Sequence, residues 1–339
     1  MARVVVATAH HHILQHLNAA LRAHGHEVVG LLSAGALPVM ADVVEQVGCP
    51  RFALPLLPGE MNIGRGMRAD PAYAEKVRVA AEGLAALDAD FMVGWAINIL
   101  PHFLLDAARH PINVHPSDLP RYRGGFPLEA HILNGERKLY VSVHHTVPRV
   151  DAGAVLARSQ PLKIRRSDTM NGLLGRILPV GAALVAEVLT HWGRLAELPP
   201  LPSQDPVPHA WGIKRVPDDR GQLRNTGVLG RLRIEWHLDS AQDIDRAARA
   251  FDMIGGAFTN HGPRLFRVTR AKTLSRTVSA KPGEVLAVAQ GMVDVQARDA
   301  VVRLQGGFAD GEGTIDPGER FVSTEPISRI LGLSGAERC

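Results

Sequence analysis

Cysteine is nearly absent. The 339 residues include two, Cys49 and Cys339, with no C-x-x-C spacing, which excludes a disulfide framework. The opening MARVVVATAHHH has an apolar run too short for a secretory hydrophobic segment, and polar histidines follow at once. The stretch 91–105 is broken by Asn98, Pro101 and His102, so it does not span a bilayer. These features predict a reducing, cytoplasmic setting with no membrane partner. Basic blocks are missing as well. Net charge is +4, and Arg121, Arg123, Arg165 and Arg166 are the nearest approach to clusters. A non-specific nucleic-acid binder carries a denser basic stripe. No G-x-G-x-x-G follows a strand into a helix, and the GRG at 64–66 lacks the Lys-Ser/Thr of a phosphate loop. His10, His11 and His12 are consecutive at a helix start and cannot all face one ion, so no metal is expected.

What is there is an ordinary globular composition, 46% hydrophobic and 21% charged, on a chain long enough for two domains. The β-branched run 4–8 reads as a buried strand, and 12–24 carries Ile13, Leu14, Leu17 and Leu21 at helical spacing before Gly25. Strand, helix and strand follow at 27–33, 40–47 and 51–54. The stretch 57–70 reads as irregular. Asp70-Pro71 opens a helix to about Leu87 that buries Tyr73, Val77, Val79, Ala80 and Leu84. Strands are expected at 91–95, 112–115, 140–147 and 155–164, a short helix at 126–133, and a long one at 168–192 capped by Asp168. Strands alternating with helices imply crossovers and a mostly parallel, doubly wound sheet.

The segment LPPLPSQDPVP, 198–208, has five prolines in eleven residues and reads as a stiff connector. Residues 1–200 are therefore taken as one domain and 201–210 as the linker. Residues 211–312 form a smaller β-rich, barrel-like (OB-like) domain, and 313–339 a tail with a capping helix. In the second domain 234–236 is strand-like, and Ser240 with Asp243 makes a capping-box pattern. Short strands at 265–269, 284–289, 293–297 and 300–304 alternate with Gly/Pro turns. Trp192, Trp211 and Trp236 read as packing.

Function concentrates in INVHPSDLPRYRGG, residues 112–125, which follows the apolar strand 91–95. Asn113 and His115 stand at i, i+2 and share one strand face. An amide donor beside an imidazole suits an oxygen that becomes negative. Asp151 follows on a turn closed by Gly153. A carboxylate beside His115 raises the pKa of the imidazole and can take the proton of an attacking amine. In an open α/β sheet, ligands sit outside the carboxyl ends of the strands, where both segments lie.

The string N-x-H-P-S-x-L-P-x-x-R-G-G followed by D-x-G resembles the signature of the formyltransferases that use 10-formyltetrahydrofolate. That group acts on methionyl-tRNA, glycinamide ribonucleotide and amino sugars, and includes the hydrolase domain of formyltetrahydrofolate dehydrogenase. The resemblance implies a Rossmann-like sheet and places the catalytic Asn, His and Asp on Asn113, His115 and Asp151. It assigns Ser117, Arg123, Gly124 and Gly125 to the substrate side. The run 96–100, with Ile97, Asn98 and Leu100, resembles the loop whose backbone holds the pterin, and Arg149 and Val150 resemble its other wall. Trp95 either walls that pocket or belongs to the core. Segment 234–258 and the strands after it resemble the barrel domain of the tRNA and sugar enzymes, although Ile254-Gly255 stands where Pro precedes Gly-Ala.

Within that resemblance, the tRNA enzymes carry a basic insertion after their second strand. Here 33–40 reads SAGALPVM, with no Lys or Arg, which argues against tRNA. The SVHH at 142–145 resembles the T-x-H pattern of sugar N-formyltransferases. It places His144, with His145, either at the acceptor site or in packing. The expected activity is formyl transfer from 10-formyltetrahydrofolate to a small-molecule amine, without metal. Transfer to tRNA and hydrolysis to formate are the alternatives, and a homodimer is allowed for.

Overall fold

The computed structural model describes residues 1–34, 41–54, 63–97, 99–196, 215–217, 223–225, 228–276, 278–311 and 313–323. Asn98, residues 35–40, the linker 201–210, Trp211 and the expected capping helix beyond 323 lie outside them. The chain divides into two compact units. The first comprises Met1–Pro127, Lys138–Leu162 and Gly175–Val207; the second takes Leu128–Arg137 and Lys163–Leu174 along with Pro208–Cys339. The chain thus passes between the units more often than a single proline linker implies.

The first unit is built on β1 (Arg3–Ala7), whose four apolar residues are buried, as a strand covered on both faces requires. Helix α1 (His11–Ala23) buries Ile13, Leu14, Leu17 and Leu21 along one stripe and ends before Gly25, whose φ of +74° is the left-handed turn that glycine accepts. β2 (Glu27–Ala34), α2 (Ala41–Val47) and β3 (Arg51–Leu54) follow. Two helices come next. α3 (Ile63–Ala69) occupies part of the stretch expected to be irregular, its paired glycines having masked the helical spacing of Ile63 and Met67. α4 (Pro71–Ala85) is capped by Asp70, whose carboxylate accepts from the Ala72 and Tyr73 amides. Val79 is 57% exposed, against expectation, because the buried stripe runs through Ala80 and Val77.

β4 (Ala89–Trp95) pairs in parallel with β1, and β5 (Ala108–His115), after the single turn α5 (His102–Leu105), pairs in parallel with β4. α6 (Pro127–Leu133) leads to β6 (Lys138–Leu139). β7 (Ser142–His145) and β8 (Val155–Arg158) then add antiparallel to the same sheet, while β6 and β9 (Leu162–Lys163) form a separate ribbon. The seven-stranded order is β3-β2-β1-β4-β5-β7-β8. This is the Rossmann-like, mostly parallel sheet expected. α7 (Met170–Thr190) and α8 (Trp192–Ala196) replace the single long helix predicted. Thr169 takes the capping bond, from the Gly172 amide, while Asp168 accepts from Arg165. By length and composition α7 is apolar enough to cross a membrane, an apolar run longer than 91–105, but more than half of it is buried inside the protein.

The second unit contains the ribbon of β10 (Arg215–Pro217) and β11 (Leu223–Asn225) and a helix, α9 (Ala241–Ala250), with the capping box of Ser240 and Asp243. Its sheet is antiparallel. β12 (Ala257–His261), β13 (Arg264–Leu274), β14 (Val285–Ala289), β15 (Met292–Gln296), β16 (Val301–Phe308) and β17 (Phe321–Val322) lie in the order β14-β15-β16-β13-β12-β17. A bridge between Glu284 and Arg320 brings the two edges together, so the sheet curls into a barrel-like form. Trp236 stacks on Phe321 inside it and donates to the Thr259 hydroxyl at 2.8 Å. Residues 234–236 are not a strand, since the pairing there is one bridge from Arg233 to Phe258.

Candidate active site

Three strands of the first unit set the site. β5 runs parallel to β4 with Asn113 beside Gly94, and antiparallel to β7 with Asn113 opposite His144 and His115 opposite Ser142. Directly opposed residues share a face, so Asn113, His115, Ser142 and His144 project from one side of the sheet. Asp151 reaches the same place from the turn after β7. It has φ of +47°, an uncommon conformation for a residue with a side chain and one that Asp tolerates better than most. Gly153 is required two residues later, because a Cβ there would lie 1.8 Å from the His145 carbonyl oxygen.

The Asp151 carboxylate is held on every side. Its Oδ2 accepts from the Gly124 amide at 2.8 Å and stands 3.5 Å from His115 Nδ1. Its Oδ1 lies 3.4 Å from the Asn113 amide nitrogen and 3.5 Å from His144 Nε2. Burial works to raise the pKa of Asp151, but the His115 and His144 rings beside it and the hydrogen bond from the Gly124 amide outweigh it, leaving the group at about 2. Asp151 is therefore an anion at neutral pH.

His115 departs from the expected role. Its ring is buried, and Nε2 is 2.8 Å from the Tyr122 carbonyl oxygen, an acceptor only, so Nε2 carries the proton and donates. Desolvation pulls its pKa below 6.5, and the opposing pull of Asp151 is the smaller effect. The expectation of a raised pKa at His115 is corrected: burial lowers it, and the neutral ring turns its one N–H to Tyr122, leaving Nδ1 unprotonated beside Asp151 with no hydrogen bond between them. His144 is bonded similarly. Its Nδ1 donates to the His145 carbonyl at 2.8 Å, which leaves Nε2 to accept from the Asn113 amide at 3.1 Å.

The signature loop is pinned from within and below. The Ser117 hydroxyl donates to the Arg121 carbonyl at 2.7 Å, and the Ser142 hydroxyl donates to the Ser117 carbonyl at 2.7 Å. Ser117 has no exposed surface, so the substrate contact expected of it gives way to a loop-shaping role. Gly124 has φ of +105° and spends its amide on Asp151, and Gly125 is exposed. Arg123 is half-buried beside them, with its pKa lowered by burial and by Arg149 while Asp151 opposes.

A cavity of about 200 Å³ opens over Asn113, His144 and Asp151. Ile97, Leu100, Thr146, Val147, Pro148 and Val150 are among the residues that line it. Of the residues expected to hold a pterin, Ile97, Leu100 and Val150 are therefore brought together. Arg149 is exposed and not among the lining residues, and Trp95 is core, 1% exposed and packed on Gly181. Gly94 and His102, which also line the cavity, were missed in the sequence. A glycine inside the apolar strand FMVGW is the available signal, since it marks close approach of another group. A mostly apolar slot suits a flat heteroaromatic ring, and it holds a carboxylate and an amide, Asp151 and Asn113. Among the described residues no group of three or more potential ligands can hold a metal ion.

The sequence matches the formyl transferase family over residues 2–189 and that family's C-terminal domain over 231–319. The chain belongs to the formyl transferase family. Among its relatives, methionyl-tRNA formyltransferase of Paracidovorax citrulli is 33% identical over 237 residues, 68% of this chain and 67% of that one. The enzyme of the same name from Variovorax paradoxus is 29% identical over 286 residues, 84% of each chain. The fold is shared with WlaRD, a sugar 3N-formyl transferase solved with dTDP and 5-N-formyl-tetrahydrofolate. That match has a TM-score of 0.56 and 12% identity over 91% of this formyl transferase and 98% of that chain. It is also shared with HypX from Aquifex aeolicus in complex with tetrahydrofolic acid (TM-score 0.53, 16% identity, 100% of this chain and 48% of that one).

Proposed function

We propose that this formyl transferase moves a formyl group from 10-formyltetrahydrofolate to the amine of a small molecule, an amino sugar or an amine of specialised metabolism. The observation that carries the chemistry is the Asp151 carboxylate, held as an anion beside the Asn113 amide in a mostly apolar slot. An attacking amine must lose a proton, and Asp151 is the base positioned for it, directly or through water; as the adduct collapses the formyl carbon–N10 bond breaks, and that proton goes to N10, which leaves as tetrahydrofolate. The formyl oxygen gains negative charge as the amine adds. The Asn113 N–H now shared with Asp151 Oδ1 at the long distance of 3.4 Å is the donor available to it. His144 fixes the other Asn113 N–H, and the Gly124 amide fixes Asp151.

The choice of acceptor rests on 33–40, which offers no Lys or Arg to a phosphate backbone. Transfer to methionyl-tRNA is the second reading, favoured by the names of the sequence relatives. Turnover of 10-formyltetrahydrofolate is to be followed with nucleotide-linked amino sugars, with charged initiator tRNA, and with no amine. Transfer to the sugars alone supports the reading, and salt-sensitive binding and formylation of the tRNA replaces it. Formate release unaffected by any amine makes the protein a hydrolase. Asn113→Ala and Asp151→Ala should each cost about a hundredfold or more in turnover; near-normal rates for both sink the assignment.

A further inference from the structure

Arg158 lies outside the signature and outside the cavity, yet it grips the loop that completes the site. His115 on β5, Ser142 on β7 and Arg158 on β8 are register partners across three adjacent strands, so they form one row on one face. Each member of that row holds the loop above it. His115 donates to the Tyr122 carbonyl, and Ser142 to the Ser117 carbonyl. The Arg158 guanidinium uses two nitrogens. Nη1 pairs with Asp118 Oδ1 at 2.5 Å, and Nη2 donates to the Leu119 carbonyl at 3.0 Å. A planar fork reaches two adjacent residues at once, one as an ion pair and one through a hydrogen bond; an ammonium group offers one point of charge.

The loop so held supplies two main-chain groups to the site. The Tyr122 carbonyl sets which His115 nitrogen carries the proton, and the Gly124 amide holds Asp151 Oδ2. We infer that Arg158 is a positioning residue for formyl transfer: by clamping Asp118 and Leu119 it fixes the loop that orients His115 and anchors the Asp151 carboxylate. The inference rests on the reading of Asn113, His115 and Asp151 as the reacting centre. Releasing the clamp lets the Gly124 amide move off Asp151. That amide lowers the Asp151 pKa, so its loss raises it, and the acid limb of the rate profile shifts to higher pH.

The test uses the full chain with Arg158→Ala, Arg158→Lys and Asp118→Asn. Three readouts are taken: binding of 5-formyltetrahydrofolate, the pH profile of formyl loss from 10-formyltetrahydrofolate, and the ring ¹⁵N signals of His115, assigned by their loss in His115→Gln. In Arg158→Ala and Asp118→Asn, folate affinity should stay within about twofold, because the slot is untouched. Formyl loss should fall by up to about a hundredfold, as misplacement of a reacting group does. Its acid limb should move up, and His115 should leave the single Nε2–H form. Arg158→Lys, which keeps one contact, should fall between. Wild-type His115 signals and a wild-type pH profile in both Arg158→Ala and Asp118→Asn overturn the inference, even if stability drops. If Arg158→Ala does not fold, Asp118→Asn and Arg158→Lys decide alone. Failure of the wild-type protein to bind 5-formyltetrahydrofolate strikes instead at the functional reading.

Discussion

Gly94 on β4 is the register partner of Asn113 on β5, and a methyl group built on Gly94 would lie 2.9 Å from the Asn113 side-chain oxygen. The amide that faces the reaction thus occupies room that only a glycine leaves. Gly94→Ala pushes the oxygen aside and turns the amide away from Asp151. We expect kcat for formyl transfer to fall by about a hundredfold, the scale of a misplaced catalytic group. The strand itself should persist, with a melting temperature within a few degrees of the parent, since Gly has no helical or turn duty there. Steady-state transfer assays with thermal melts check both parts.

The stability of the protein should decline with acid in two steps. His115 has its pKa lowered by burial, so the unfolded chain takes up a proton below about 6.5 that the folded one refuses, and stability falls as pH drops through that range. Asp151 is lowered from 3.8 to about 2, so its contribution is present above pH 4 and is lost as pH falls toward 2. That second step is worth about 2 kcal/mol. His26, His110 and His145 are also lowered by burial and share the first step. In His115→Gln one part of it goes: the difference in urea midpoint between variant and parent should narrow from pH 7 to pH 5. A constant difference contradicts the neutral, buried imidazole.

At Gly153 the steric case is harsher. A Cβ would meet the His145 carbonyl oxygen at 1.8 Å, and backbone cannot move aside as a side-chain tip can. Gly153→Ala should cost about 1–3 kcal/mol, as forced overpacking does, and should abolish transfer by unseating Asp151. Urea unfolding and turnover measure the two effects separately.

The slot can be tested without any acceptor. Leu100 and Val150 both line it. Leu100→Glu places a charge against the apolar lining, where an unpaired carboxylate is costly to bury. We expect binding of 5-formyltetrahydrofolate to weaken by at least about tenfold, while Arg78→Ala, on a surface ion pair of α4, leaves it unchanged. Calorimetric titration gives both constants.

Much of this was legible in the sequence because strand periodicity fixes which side chains share a face. Asn113 and His115 at i, i+2 were read onto one side of β5, and they are there. Periodicity does not give depth. The signature loop folds back over the end of β5, so Asn113 lines the slot while His115 and Ser117 are covered by the loop they belong to. Residue type also misled where main chain does the work. Gly124 serves Asp151 through its amide, a role no side chain records. Trp95 illustrates the converse: a large ring at a strand end suggests a pocket wall, but Gly181 of α7 leaves the space that takes it into the core. The second-unit sheet is less legible for a simpler reason, as β12 and β17 are a five-residue and a two-residue strand.

The residues that form the site are separated by long stretches of chain. Asp151 lies 38 positions after Asn113, and Arg158 lies 39 after the Leu119 carbonyl it holds. During synthesis the chain emerges from its amino end, so the parallel strands β1 to β5 are available to pair well before either partner exists. A nascent protein that has reached β5 displays the amide and the imidazole but has no base and no clamp. It is chemically silent until some forty further residues, an order of length set by those separations, have been added and folded back.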